Sequence, residues 1–180
     1  ISLALLYSLG PFFIVNPWTN LFPLPDMIED SDQNLLRVIN YPAIKDLNTH
    51  GAIRAQEHAD INLITLLVAA TQPGLQVKNT KGKWININSN PGELIINTGD
   101  MLQECSNHYF PSTIHRVMNP KEGNKHNARL SMPVFIHPSD KVVLSKQYTA
   151  KSYLEERLKE IGLKKWNIFI KYYQGILKLI

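Results

Sequence analysis

The stretch Arg54-Ala55-Gln56-Glu57-His58-Ala59-Asp60-Ile61-Asn62-Leu63-Ile64-Thr65-Leu66-Leu67 decides how this chain is read. A histidine and an aspartate stand two residues apart, and an apolar run follows them. On an extended strand, residues i and i+2 project from one face, so His58 and Asp60 can offer an imidazole nitrogen and a carboxylate oxygen to the same ion. A third ligand is needed. His115, in Ser112-Thr113-Ile114-His115-Arg116-Val117-Met118, is the best candidate. Two histidines and one carboxylate on one side of a metal leave positions open for substrate and dioxygen, an arrangement that suits a non-haem Fe(II) oxygenase.

A His-x-Asp pair alone is a common coincidence, so its surroundings carry the weight. The apolar run Asn62 to Ala70, ended by Gln72-Pro73-Gly74, predicts a buried strand. Upstream, Leu35 to Tyr41 predicts a strand stopped by Pro42, and Ile53 to His58 a short one. Downstream, Leu75 to Val77 and Trp84 to Ile87 predict a hairpin around Asn79-Thr80-Lys81-Gly82, whose glycine supplies a positive φ. Leu94 to Asn97 follows as a strand and Thr98-Gly99-Asp100 as a turn. Thr113 to Val117 puts His115 on one face with Thr113 and Val117, and in Arg129 to Ile136 the side chains of Arg129 and Ser131 share a face. Many short strands with regular turn punctuation predict an all-β sandwich or barrel.

The ends read differently. Pro17, Pro23 and Pro25 predict an irregular, extended path. Lys151 to Ile161 predicts a helix with Leu154, Leu158 and Ile161 on one face, Glu155 and Lys159 at i,i+4, and a stop at Gly162. Trp166 to Ile180 repeats the amphipathic pattern with Trp166, Phe169, Ile170, Tyr173 and Leu177. Such a stripe is more often a packing face than a membrane-surface helix.

Taken in order, Pro73-Gly74-Leu75-Gln76-Val77, Gly82-Lys83-Trp84-Ile85, Pro91 to Gln103, the His115 segment and Arg129-Leu130-Ser131-Met132-Pro133-Val134-Phe135 resemble the isopenicillin-N-synthase-like family of Fe(II)/2-oxoglutarate-dependent oxygenases. The resemblance runs from about Leu35 to about Gly162. It implies a mainly β fold, a double-stranded β-helix (jelly-roll) core with flanking and C-terminal helices. Residues 1–34 are then a poorly defined N-terminal remnant, 35–139 the oxygenase domain and 140–180 a helical extension. By position, His58, Asp60 and His115 match the family's Fe(II) ligands. Arg129 and Ser131 match its Arg-x-Ser pair for the distal carboxylate of 2-oxoglutarate, and Tyr41 the tyrosine that reaches the same cosubstrate. Leu75, Asn97 and Phe135 fall at pocket-lining positions. One departure is Ile39, where many plant members carry asparagine two residues before the tyrosine.

The implied function is an Fe(II)- and 2-oxoglutarate-dependent dioxygenase that hydroxylates or desaturates a small organic molecule, using dioxygen and releasing succinate and CO2. Two alternatives share the same residues: an isopenicillin-N-synthase-like oxidase that uses no 2-oxoglutarate, and a truncated, non-catalytic jelly roll that binds metal. Family members carry a longer N-terminal region, and Ile1 to Val15 has no initiator Met and no basic flank. The start reads as the interior of a longer chain or a degenerate N-terminus.

Composition bounds the rest. The 180 residues suit one domain. The net charge of +4 comes from 19 basic and 15 acidic residues, with the excess toward the C-terminus and no basic cluster interleaved with aromatics. No nucleic-acid partner is expected from that pattern. A single cysteine, Cys105, fits a reducing cytoplasm and argues against a thiolate zinc site. Pro11 and the length of the first apolar run argue against a membrane span.

Overall fold

The computed structural model describes residues 24–44, 52–120 and 126–162. Its strands are β1 (Leu35–Leu36), β2 (Ile39–Tyr41), β3 (Ala55–His58), β4 (Ile64–Val68), β5 (Leu75–Lys78), β6 (Trp84–Asn86), β7 (Leu94–Thr98), β8 (His115–Val117), β9 (Arg129–Ser131) and β10 (Pro133–Ile136). Among the described residues three helices, α1 (Leu24–Ile28), α2 (Asp100–Cys105) and α3 (Ala150–Glu160), flank them. One sheet runs β1-β10-β4-β7, a second β3-β8-β5-β6, and β2 pairs with β9. Every pairing is antiparallel. The interleaved order, with a cavity between the two sheets, is the jelly roll that the family resemblance implies.

The period of two sorts β4. Thr65 and Leu67 face the cavity, while Ile64 and Leu66 join the apolar core. That core also takes Leu24, Met27 and Ile28 of α1, Met101, Leu102 and Cys105 of α2, Ile136 of β10, and Leu154 and Leu158 of α3. Each large apolar side chain buried there contributes roughly 1.5–3 kcal/mol. The helices thus back the first sheet and leave its other face free to line the cavity.

Several expected elements are modified. Leu35 to Tyr41 and Arg129 to Ile136 each split into two strands, yet the ladder keeps one register. Leu36 faces Val134 and, three residues on in one segment and three back in the other, Ile39 faces Ser131. Across the gap Arg37 donates to the Pro133 carbonyl at 2.9 Å, and proline has no N–H to return. The strands expected over Ile53 to His58 and Asn62 to Ala70 shorten to Ala55–His58 and Ile64–Val68.

The proline-rich path does not stay extended: Leu24–Ile28 is helical, with Pro25 in its first turn, where a missing N–H costs nothing. The turn at Thr98-Gly99-Asp100 is the entrance to α2, with Gly99 as its N-cap. The hairpin expectation holds, with Gly82 at φ +76°. α3 forms nearly as expected, opened by a reciprocal Thr149/Ser152 cap and closed before Gly162 at φ +83°. Its ion pair is Arg157–Glu160 at 2.6 Å, while Ile161 is exposed. The expected segments before residue 24 and the Trp166 to Ile180 helix lie outside the described residues. No helix among the described residues is long and apolar enough to cross a membrane.

Candidate metal centre

His58 ends β3 and faces His115, which opens β8, across an antiparallel ladder. Side chains of directly opposed residues lie on one face, so the imidazoles meet, with ring centroids 4.3 Å apart. Asp60 is not on the strand with His58, as the i,i+2 argument supposes. It lies just beyond the strand end, where its carbonyl accepts from the Asp100 N–H at 2.8 Å. The three side chains still converge: one donor atom from each lies within 4.8 Å of the others.

Asp60 Oδ1 is 3.9 Å from His58 Nε2 and 3.8 Å from His115 Nε2. Those separations are too long for hydrogen bonds, so the three donors do not satisfy one another. Their remaining atoms are fixed from behind. His58 Nδ1 lies 2.7 Å from the Gln56 carbonyl, and His115 Nδ1 lies 2.9 Å from the Thr113 carbonyl. A carbonyl only accepts, so both Nδ1 atoms carry the proton and both Nε2 lone pairs point into the gap. Asp60 Oδ2 accepts from Thr65 Oγ1 at 2.6 Å and Asn97 Nδ2 at 3.0 Å, which leaves Oδ1 for an ion.

The sheet register supplies that last arrangement, because Thr65 and Asn97 are direct partners of β4 and β7. Asn62 Nδ2 donates to Thr65 Oγ1 at 2.9 Å, so the threonine proton is directed at Asp60. Asn62 itself is 1% exposed and sits against Gly99, where any Cβ would overlap its carbonyl oxygen. Such fixed outer partners orient metal ligands and tune their basicity. The donor chemistry, two neutral imidazoles and one carboxylate on one side, fits an Fe(II) ion with open positions.

The centre opens into a cavity of about 750 Å³. Tyr41, Leu75, Asn97, Arg129, Ser131 and Phe135, all expected near the pocket, line it. Arg129 is 2% exposed; its Nε donates to the Gln72 carbonyl at 3.0 Å, while Nη1 is buried with no partner. Burial pulls its pKa below the ordinary arginine value, Tyr41 acts against that fall, and Arg54 adds to it. A buried guanidinium nitrogen without a partner, beside a serine on the same face, has the donor chemistry that could hold a carboxylate.

Sequence reasoning missed three cavity residues. Thr65 was hidden inside an apolar run, although a lone hydroxyl there is the available signal. Arg54 belongs to none of the motifs, although it lines the cavity. His137 also lines it; burial pushes its pKa down to about 4, against the opposing pull of the Phe135 backbone, Asp60 and the Gln33 backbone. Cys105 is buried and its thiol is pushed up to about 12, so it offers neither a nucleophile nor a ready ligand.

A jelly roll with a two-histidine, one-carboxylate centre at its open end defines a class, the non-haem metal oxygenases. Comparison with known proteins agrees. The model of the 2OG-Fe(II) oxygenase superfamily matches residues 33–138, and this chain belongs to that family. A Shewanella oneidensis crystal structure assigned as an oxygenase is 54% identical, with a TM-score of 0.71 over 79% of this chain and 53% of that one. A full-length Neurospora crassa protein solved in complex with alpha-KG is 31% identical, with a TM-score of 0.66 over 74% of this chain and 46% of that one. Gibberellin 2-beta-dioxygenase 1 of Pisum sativum is 36% identical over 121 residues, 66% of this chain and 36% of that protein. The chain therefore spans about half or less of the relatives it matches.

Proposed function

We propose that this chain carries the catalytic core of an Fe(II)- and 2-oxoglutarate-dependent dioxygenase that hydroxylates or desaturates a small organic molecule. The observation that carries the reading is the set of three mutually unsatisfied donors, His58 Nε2, Asp60 Oδ1 and His115 Nε2, each aimed by a fixed partner. These three residues would hold the iron. Arg129 and Ser131 would bind the distal carboxylate of 2-oxoglutarate, with Tyr41 against the Arg129 guanidinium (5.5 Å from ring centroid to Cζ). The bound metal and cosubstrate would supply oxidative decarboxylation to succinate and CO2, coupled to removal of hydrogen from the substrate.

This chain's own residues do the positioning. His58, with its side chain 48% exposed, stands at the open side, and His115, at 14%, lies deeper. Leu75, Phe135, Ile95 and Leu67 give the cavity apolar walls that exclude water and suit a small molecule. The 2-oxoglutarate reading is preferred over the oxidase because the Neurospora crassa relative was solved with alpha-KG. The oxygenase domain is taken as residues 35–139, and the lone buried Cys105 suits a reducing, cytoplasmic setting. No nucleic acid or membrane is part of this reading.

Fe(II)- and oxygen-dependent succinate release from 2-oxoglutarate tests the proposal. The chain should release succinate only when both are supplied, and His58→Ala should abolish it. Release that is unaffected by His58→Ala refutes the assignment.

A further inference from the structure

Arg54 stands four residues before His58 and lines the same cavity as Arg129. Its Nη2 donates to the carbonyls of Asn127 (3.1 Å) and Pro42 (3.4 Å). Its Nε and Nη1, however, are buried with no hydrogen-bond partner, the same condition as Arg129 Nη1. Both guanidinium groups lie by one ring: Arg54 Cζ is 5.9 Å and Arg129 Cζ 5.5 Å from the Tyr41 centroid. No carboxylate among the described residues pairs with either. Two cations therefore lie beside one tyrosine ring, with three of their donor nitrogens buried and without a partner.

That arrangement is costly without a ligand. A buried donor that loses water and finds no acceptor forfeits its solvation, and two like charges in a low-dielectric pocket repel. A planar anion with two acceptor oxygens relieves both costs, since each oxygen takes up N–H groups from a different arginine. We infer that Arg54 is a second anchor for the ligand's distal carboxylate, acting with Arg129 beside the Tyr41 ring. The inference rests on the 2-oxoglutarate reading and adds a binding residue to it. It also accounts for the unused N–H groups, which a purely structural role for Arg54, pinning the Pro42 and Asn127 carbonyls through Nη2, leaves unexplained.

The test is a calorimetric titration of the Mn(II)-loaded chain with 2-oxoglutarate and, separately, with 2-oxobutanoate, the same keto acid without the distal carboxylate. Arg54→Gln should weaken 2-oxoglutarate by about ten- to one-hundredfold, the loss of a hydrogen bond to a charged group, and leave 2-oxobutanoate nearly unchanged. Arg54→Lys should fall between, keeping charge but not the fork. The double variant with Arg129→Gln should lose less than the product of the single losses, because both act on one carboxylate. If Arg54→Gln weakens both acids alike, or neither, or only lowers the melting temperature without ligand, Arg54 is a structural pin and the inference is overturned. A wild-type chain that binds both acids equally, with Arg129→Gln silent as well, overturns the underlying 2-oxoglutarate reading and this inference with it.

Discussion

Replacing Thr65 with valine keeps the shape of a side chain that is 3% exposed and removes one hydroxyl. That hydroxyl donates to Asp60 Oδ2 at 2.6 Å and accepts from Asn62 Nδ2 at 2.9 Å. The first bond goes to a charged acceptor and is worth about 1.5–3 kcal/mol. Asn62 keeps its other acceptor, the Ile64 carbonyl at 3.0 Å, so the second loss is the smaller. At about 1.4 kcal/mol per decade, the first bond alone corresponds to a roughly ten- to hundredfold change in an equilibrium that depends on Asp60 orientation. The same range is typical for removing a partner that orients a metal ligand. Titration of Mn(II) or Fe(II) into Thr65→Val should therefore give a dissociation constant about ten- to a hundredfold above that of the unaltered chain. Asn97 still donates to the same oxygen, so binding is weakened and not abolished. A Thr65→Val chain that folds and binds metal as tightly as the parent would refute the claim that this hydroxyl aims Asp60.

Two further outcomes follow from other parts of the site. Gly99→Ala forces a methyl group onto the Asn62 carbonyl, which holds the Met101 N–H at 3.1 Å, so the segment between Asp60 and β4 must shift; metal affinity and melting temperature should both fall, measured by titration and calorimetry, and an unchanged pair of values would contradict the packing. His137 has its pKa lowered from 6.5 to about 4, so between those pH values the unfolded chain takes up a proton that the folded chain refuses. Its contribution to stability is thus intact above pH 6.5 and lost as pH falls toward 4, by up to about 3 kcal/mol. His137→Gln should flatten that part of a melting-temperature-against-pH curve, and parallel curves for the two proteins would refute the assignment.

The sequence made the β architecture legible because alternation survives in short windows: Thr113 to Val117 and Arg129 to Ser131 show their faces without any neighbour. It made the three donors legible because of the order in which the family-like motifs follow one another. It did not reveal that Asp60 leaves the strand, since a break after His58 depends on the Asp100 N–H, which is distant in sequence. Nor could it show that β4 and β7 place Thr65 beside Asn97, which is a matter of register between strands. The two short helices escaped notice for a local reason. Five or six residues are too few for a helical period to stand out, and Pro25 and Gly99 punctuate in either conformation.

His58 and His115 belong to one sheet, whereas the residues that aim Asp60 sit on the other. An ion seated among the three is consequently a rivet through both leaves of the sandwich. Prising the leaves apart draws the aspartate away from the histidines, so a loosened copy forfeits its metal along with its shape.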